Sequence, residues 1–286
     1  MSEVVLLGRS GMLGRAMEAA LSSRGLAFSA FDRTSVDVTR PEQVRAAIGP
    51  STRLVLNCTA YTDVDGAEQH EQLAHAVNGT AVGLLAERAH QVGALLVHFS
   101  TDYVFSGDAH APYETDNPRS PINAYGRSKL AGELLLEDSS ARYLLLRTSW
   151  LYAAWGKNFV RTMLGLLRTR PSVRVVDDQM GRPTSVESLA EGALRLVERG
   201  ATGAYHVTDG GQCTWFELTQ HIARFAKLDC QVTPCTSSEF PRPAPRPRYS
   251  LLSLTKTEEL LGTLPDWRLP LERTLSALIQ AGQSTS

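Results

Sequence analysis

Tyr125 and Lys129, in the run Tyr125-Gly126-Arg127-Ser128-Lys129, are spaced for proton chemistry. On a helix, residues four apart share one face. A free phenol has a pKa of about 10, too high for efficient proton exchange at neutral pH. A nearby ammonium favours the phenolate and lowers that value. A solvated surface pair has the same pattern, so position carries weight. The pair follows Ser100-Thr101-Asp102, which ends an apolar strand-like run. In open α/β sheets, ligands collect at the carboxyl ends of strands.

A second constellation, Gly8-Arg9-Ser10-Gly11-Met12-Leu13-Gly14, lies at the first strand-to-helix junction. Gly8, Gly11 and Gly14 allow a tight turn and a close approach of backbone amides to a pyrophosphate. The helix start, with Ser10, Met12 and Leu13, adds a positive dipole end. A glycine-rich turn without a ligand is the bland alternative, and the first-junction position favours a nucleotide. The second strand ends at Phe31-Asp32-Arg33. Asp32 suits a ribose 2′-OH, whereas Arg33, with Arg9 nearby, suits a 2′-phosphate. The implied cofactor is therefore NADPH or NADH, with NADPH slightly preferred. Asp37 and Val38 are placed to contact adenine, though solvated turn residues would also fit.

The elements that must hold these groups alternate along the first half. Strands are expected at 4–7, 27–31, 53–57, 94–99 and 143–147, and helices at 12–24, 41–48, 73–92 and 124–137. This alternation predicts a Rossmann-type doubly wound parallel sheet. Near-continuous apolar runs such as Ala94-Leu95-Leu96-Val97 are what strands buried on both faces require. The expected division is a dinucleotide-binding domain over 1–150 and a smaller, mixed substrate-binding domain over 151–286. Segments near 185–200 and 248–254 are expected to return to the first domain. Four prolines within 241–248 exclude a helix interior and suggest an ordered loop.

The net charge of −1 offers no global field for nucleic acid or an anionic membrane. No apolar run approaches the roughly 20 residues that span a bilayer. The start, Met1-Ser2-Glu3, lacks the basic flank of a signal peptide. Four cysteines without a CxxC pair fit reduced thiols in a cytoplasmic protein. No HExxH pattern supports zinc, and no metal is expected.

These motifs resemble the extended short-chain dehydrogenase/reductase superfamily and, within it, the dTDP-4-dehydrorhamnose reductase family. The resemblance covers the glycine loop, 57–68, 100–105, 121–133, 147–152, 178–184 and 203–206. It implies a reductase of the 4-keto group of a dTDP-linked deoxysugar. Thr101 would bond the sugar carbonyl, Tyr125 would donate the proton, and Lys129 would bind the nicotinamide ribose. Thr59, Ala60 and Tyr61 would run beside the cofactor, while Pro183-Thr184 would close over its nicotinamide end. Val64, Asp102, Tyr103 and Trp150 would line the sugar pocket, and Arg246 would meet the diphosphate, as paired guanidinium donors can. The resemblance also implies a magnesium ion held by three glutamates at a dimer interface. Glu187 matches one position, but Ala16 and Ala277 stand at the others, so either a monomer or a metal-free homodimer is expected. Two rival functions stay open: reduction of another dTDP-4-keto-6-deoxyhexose, and a non-catalytic NADP-binding regulatory subunit like that of methionine adenosyltransferase.

Overall fold

The computed structural model describes residues 3–283; Met1, Ser2 and residues 284–286 lie outside it. The first part runs β1 (Val4–Leu7), α1 (Met12–Ser23), β2 (Phe28–Phe31), α2 (Pro41–Ala47), β3 (Leu54–Asn57), α3 (Val64–Ala67), α4 (Glu71–His75), α5 (Ala81–Val92), β4 (Leu95–Thr101), α6 (Ala124–Glu137) and β5 (Arg142–Thr148). There follow β6 (Leu151–Tyr152), α7 (Phe159–Thr169), β7 (Ser172–Val176), β8 (Met180–Gly181), β9 (Thr184–Ser185), α8 (Val186–Glu198), β10 (Gly203–His206), β11 (Cys213–Thr214), α9 (Trp215–Phe225), β12 (Gln231–Cys235), α10 (Thr255–Leu261) and α11 (Arg268–Gln283).

Six parallel strands form the main sheet in the order β10-β5-β4-β3-β1-β2. Alternate residues of each strand face opposite layers. Leu6, Leu56, Val97, Leu144 and Leu146 meet α1 and α8 through Met17, Leu21, Leu189 and Ala193. Val5, Leu7, Val55, Leu96 and Leu145 meet the other layer through Val44, Val82, Leu85 and Ala89. The expected doubly wound sheet is therefore present. A third core, with Met163, Leu167, Val175, Ile222, Trp267 and Leu271, joins α7, α9 and α11 to the β7–β12 pair.

The sheet creates its own binding crevice. From β1 the chain moves to β2 on one side, and β3 pairs on the other. At such a reversal the loops leaving neighbouring strands diverge and leave a gap beyond the carboxyl ends. The Gly8 loop leaves β1 there, and Cys58-Thr59 leaves β3. One strand further, β4 ends at Thr101, paired with Thr148 of β5.

The helix expected over 73–92 is built as α4 and α5 joined through a π-helical turn, Ala76–Thr80. Asn78 lies in that turn. Its amide accepts from the Tyr61 N–H at 2.8 Å and donates to the Tyr61 carbonyl at 2.9 Å and to Ser128 at 3.0 Å. The extra residue of a π turn re-aims one side chain inside an otherwise regular helix. Here that side chain ties the loop leaving β3 to the helix that carries Tyr125.

Candidate active site

The glycine loop has two distinct requirements. Gly8 adopts φ +85°, and a Cβ there would stand 2.8 Å from the Cys58 carbonyl carbon. A Cβ on Gly14 would lie 2.0 Å from the Gly8 carbonyl oxygen, so α1 approaches the loop only because Gly14 has no side chain. Gly11 is the N-cap of α1 and offers no side chain to its first amides. The amides of Met12 and Leu13 therefore await an external acceptor, as an anion-binding helix start does. The Leu13 side chain is in the core, so it can contribute only its backbone. Trp155 Nε1 donates to the Met12 carbonyl at 3.3 Å, bringing the 155–158 segment over the loop.

Asp32 is committed to its own turn. It accepts from the Thr34 hydroxyl at 2.7 Å and amide at 3.0 Å, and from Ser35. The Thr34 and Ser35 hydrogen bonds hold its carboxyl down at about 2. Arg33 is exposed beside it. Asp37 accepts from Thr39 in the same manner, which keeps its pKa below the usual value. The Val38 side chain is buried in the core. Arg9 pairs with Glu18 at 2.6 Å.

Thr101 ends β4, and Tyr125 and Lys129 stand on α6, which packs beside it. Asn123 caps α6 by accepting from Gly126 N–H at 2.8 Å, and its amide nitrogen donates to the Pro245 carbonyl at 2.9 Å. Glu68 accepts from Ala124 N–H at 2.8 Å. A Cβ on Gly126 would lie 2.3 Å from the Tyr103 carbonyl oxygen. This close approach sets Tyr125 edge-on to Tyr103, with ring centroids 5.9 Å apart at 79°. Burial raises the Tyr125 phenol above its ordinary pKa, the Asp102 charge adds to the rise, and the Thr101 hydroxyl partly opposes it. Lys129 Nζ donates to the Phe99 carbonyl at 2.6 Å, with His98 Nε2 at 3.3 Å. Burial pushes Lys129 down to about 8, and the Glu133 charge opposes that.

Thr101 donates its hydroxyl proton to Asp102 at 2.9 Å and accepts from the Tyr103 amide. A hydroxyl has one proton, so donation to a ligand carbonyl requires Asp102 to give it up. Burial pushes Asp102 up to about 6, with bonds from Ser250 and Thr101 opposing. One oxygen of Asp102 and the hydroxyl of Thr148 are buried without a protein partner.

Of the residues expected on the substrate side, Val64 opens α3. Trp150 follows β5 with φ +48°, a conformation uncommon outside glycine. Its ring stacks on Trp215 at 3.5 Å and 9°, and Trp215 is held by Gln179 at 3.1 Å. Trp215 escaped the sequence reading because nothing local to it marks a stacking partner 65 residues away. Arg246 pairs with Asp65 at 2.6 Å, and Arg242 pairs with the same carboxylate at 2.8 Å. The proline-rich segment is thus an ordered loop pinned to α3, and Asp65 already balances the charge expected to meet a diphosphate.

Glu187 is exposed at the start of α8, where Ser185 donates to it at 2.9 Å. Ala16 is in the core and Ala277 is exposed on α11. Among the described residues no group of three or more His, Cys, Asp or Glu side chains could hold a metal ion, and no helix is long and apolar enough to cross a membrane.

The chain as a whole has counterparts among known proteins. The model of the RmlD substrate binding domain matches residues 1–280. A dTDP-4-dehydrorhamnose reductase of Streptomyces griseus is 41% identical over 283 residues, covering 96% of this chain and 93% of that protein. A probable dTDP-4,6-dihydroxy-2-methyloxan-3-one 4-ketoreductase of Streptomyces antibioticus is 40% identical over 283 residues, covering 97% and 96%. The solved dTDP-4-dehydrorhamnose reductase of Bacillus anthracis, in complex with NADP, superposes with a TM-score of 0.92 at 36% identity, covering 97% of this chain and all of that one. The chain belongs to the RmlD substrate binding domain family, that of the dTDP-4-dehydrorhamnose reductases.

Proposed function

We propose that the chain reduces the 4-keto group of dTDP-4-dehydro-L-rhamnose to give dTDP-L-rhamnose, with Tyr125 as proton donor. The observation that carries this reading is the convergence of Thr101, Tyr125 and Lys129 beside the glycine-loop crevice, in a chain of this family. NADPH or NADH, when bound, supplies the hydride. The amides at the start of α1 hold the pyrophosphate, and Thr59, Ala60 and Tyr61 flank the cofactor. Thr101 polarises the carbonyl, and Tyr125 delivers its proton to the developing alkoxide. A raised phenol pKa suits that task, because the residue must arrive protonated. Residues after 150 supply most of the substrate side. The test is NADPH oxidation with dTDP-4-dehydro-L-rhamnose, with the product's C4 configuration read by NMR; no turnover, or the opposite epimer, defeats the assignment. The Streptomyces antibioticus relative favours one second reading, reduction of a different dTDP-4-ketohexose, and the same assay with that substrate separates the two.

Arg246→Ala is expected to raise KM more than it lowers kcat, since a diphosphate contact is present in ground and transition states alike. A charge-assisted hydrogen bond contributes about 1.5–3 kcal/mol, equivalent to roughly ten- to a hundredfold in KM. Displacement of Asp65 draws the effect toward the lower end. An unchanged KM with a crippled kcat would instead put Arg246 near the reacting carbonyl.

For the cofactor, Arg33→Ala is expected to lower the NADPH/NADH affinity ratio, because Asp32 then faces the 2′-phosphate without its cationic neighbour. Titration of both cofactors into the two proteins checks this; an unchanged ratio removes Arg33 from phosphate recognition. Turnover is expected to survive EDTA. Loss of activity on chelation, restored by magnesium, would contradict the metal-free reading.

A further inference from the structure

We propose that His98 is a positioning residue whose tautomer, set by Asn57, presents an N–H to Lys129 and biases that lysine toward its amine form. The argument is a count of donors and acceptors along a buried chain. Asn57 Oδ1 accepts from the Thr59 amide at 3.2 Å and the Thr59 hydroxyl at 2.6 Å. A backbone N–H can only donate, so the Asn57 amide cannot be turned round. Its nitrogen therefore faces His98 Nδ1, at 3.0 Å, as a donor. Nδ1 must accept, and a neutral imidazole then carries its proton on Nε2.

Nε2 lies 3.3 Å from Lys129 Nζ. An ammonium has no acceptor, so an Nε2–H facing it sets donor against donor. The contact becomes a hydrogen bond when Lys129 is the amine, whose lone pair accepts from Nε2–H while an N–H still donates to the Phe99 carbonyl at 2.6 Å. His98 is fully buried and Lys129 2% exposed, so water cannot relieve the conflict. A protonated imidazole is opposed by burial and by the Lys129 charge, which hold His98 well below its ordinary pKa.

The other groups around Lys129 do not reverse this bias. Glu133, one turn along α6, favours the ammonium, but its oxygens are taken by Arg147 at 2.9 and 2.8 Å and by Arg119 at 2.8 Å. Asp102 and Tyr125 lie toward the substrate side, and burial raises both. From the α3–α4 side, Glu68 bonds the Ala124 amide and Glu71 pairs with Arg127 at 2.9 Å, while His75 lies against Gly79. The downward displacement of Lys129 has the same sign. Resting on the reductase reading, the consequence is that Lys129 enters the reaction poised between amine and ammonium, with His98 setting the balance.

The test needs no turnover, so it stands apart from the success or failure of that reading. The chain has four lysines, Lys129, Lys157, Lys227 and Lys256. In protein labelled with carbon-13 lysine, the Lys129 signal is identified by its loss in Lys129→Arg. It is expected to titrate below the other three. In His98→Leu its midpoint is expected to rise by about one pH unit, with the others unmoved. Nitrogen-15 histidine spectra of the unmodified chain are expected to show the His98 proton on Nε2. If His98→Leu does not fold, Asn57→Asp serves instead. Its carboxylate accepts from Nδ1–H, turns Nε2 into an acceptor and raises the Lys129 midpoint together with a visible change of tautomer. A His98 proton on Nδ1 in the unmodified chain, or a Lys129 midpoint indifferent to both variants, overturns the proposal.

Discussion

Replacing Tyr125 with Phe is expected to cut kcat by about 10²–10⁴-fold, the range for loss of a positioned proton donor, while leaving NADPH affinity unchanged. The substitution removes one oxygen and retains the ring, so the edge-on contact with Tyr103 survives. The first turn of α6 is held by Asn123 and Glu68, neither of which touches the phenol oxygen. The amides at the start of α1 lie on a different loop, so cofactor titration should match the unmodified chain. Steady-state kinetics and fluorescence titration of NADPH together check this. Turnover within tenfold of the unmodified chain would assign the proton to another donor, and lost affinity would show that the variant disturbed more than chemistry.

The largest expected effect on stability belongs to Glu133→Gln. Arg147 is 1% exposed and Glu133 is fully buried, and two parallel hydrogen bonds join them. Removing the carboxylate's charge leaves Arg147 buried without its counter-ion, which costs about 3–5 kcal/mol. Glu137 binds Arg119 from a more exposed position, and exposed pairs contribute about 0–1 kcal/mol. Glu137→Gln is therefore the control. Urea unfolding should separate the two variants clearly, and similar midpoints would mean that water reaches Arg147. The pH dependence has a definite sign. Burial pushes Glu133 up, but the Arg147 hydrogen bond and charge, with Ser100 and Arg119, pull it below the usual carboxylate value. Its contribution is thus full above the unfolded-chain pKa and is lost as pH falls through the lowered folded value.

The parts legible from sequence were those encoded locally. β4 reads as an apolar run that turns polar at Ser100 and Thr101, and the glycine loop and the Tyr125–Lys129 pair are each complete within seven residues. What escaped depends on tertiary contact. Asp65 lies 181 positions from Arg246 in sequence, and only the folding back of the proline-rich loop joins them. His98 reads as an interruption in a buried strand until Asn57, on the neighbouring strand, supplies its partner. The π turn at Ala76–Thr80 is hidden because helical periodicity continues on both sides. Its cause, the bonds of Asn78 to Tyr61 and Ser128, is equally remote.

The two bonds of Asn123 have a metrical consequence. One amide side chain sets both the first turn of the helix bearing Tyr125 and, through Pro245, the height of the loop bearing Arg246. On the proposed reading, the distance between the anion-binding arginine and the proton-donating phenol becomes a fixed gauge, spanned correctly only by a sugar whose carbonyl sits the right number of bonds from its diphosphate. A sugar monophosphate, or a ketone one ring position away, would reach one jaw of that calliper and miss the other.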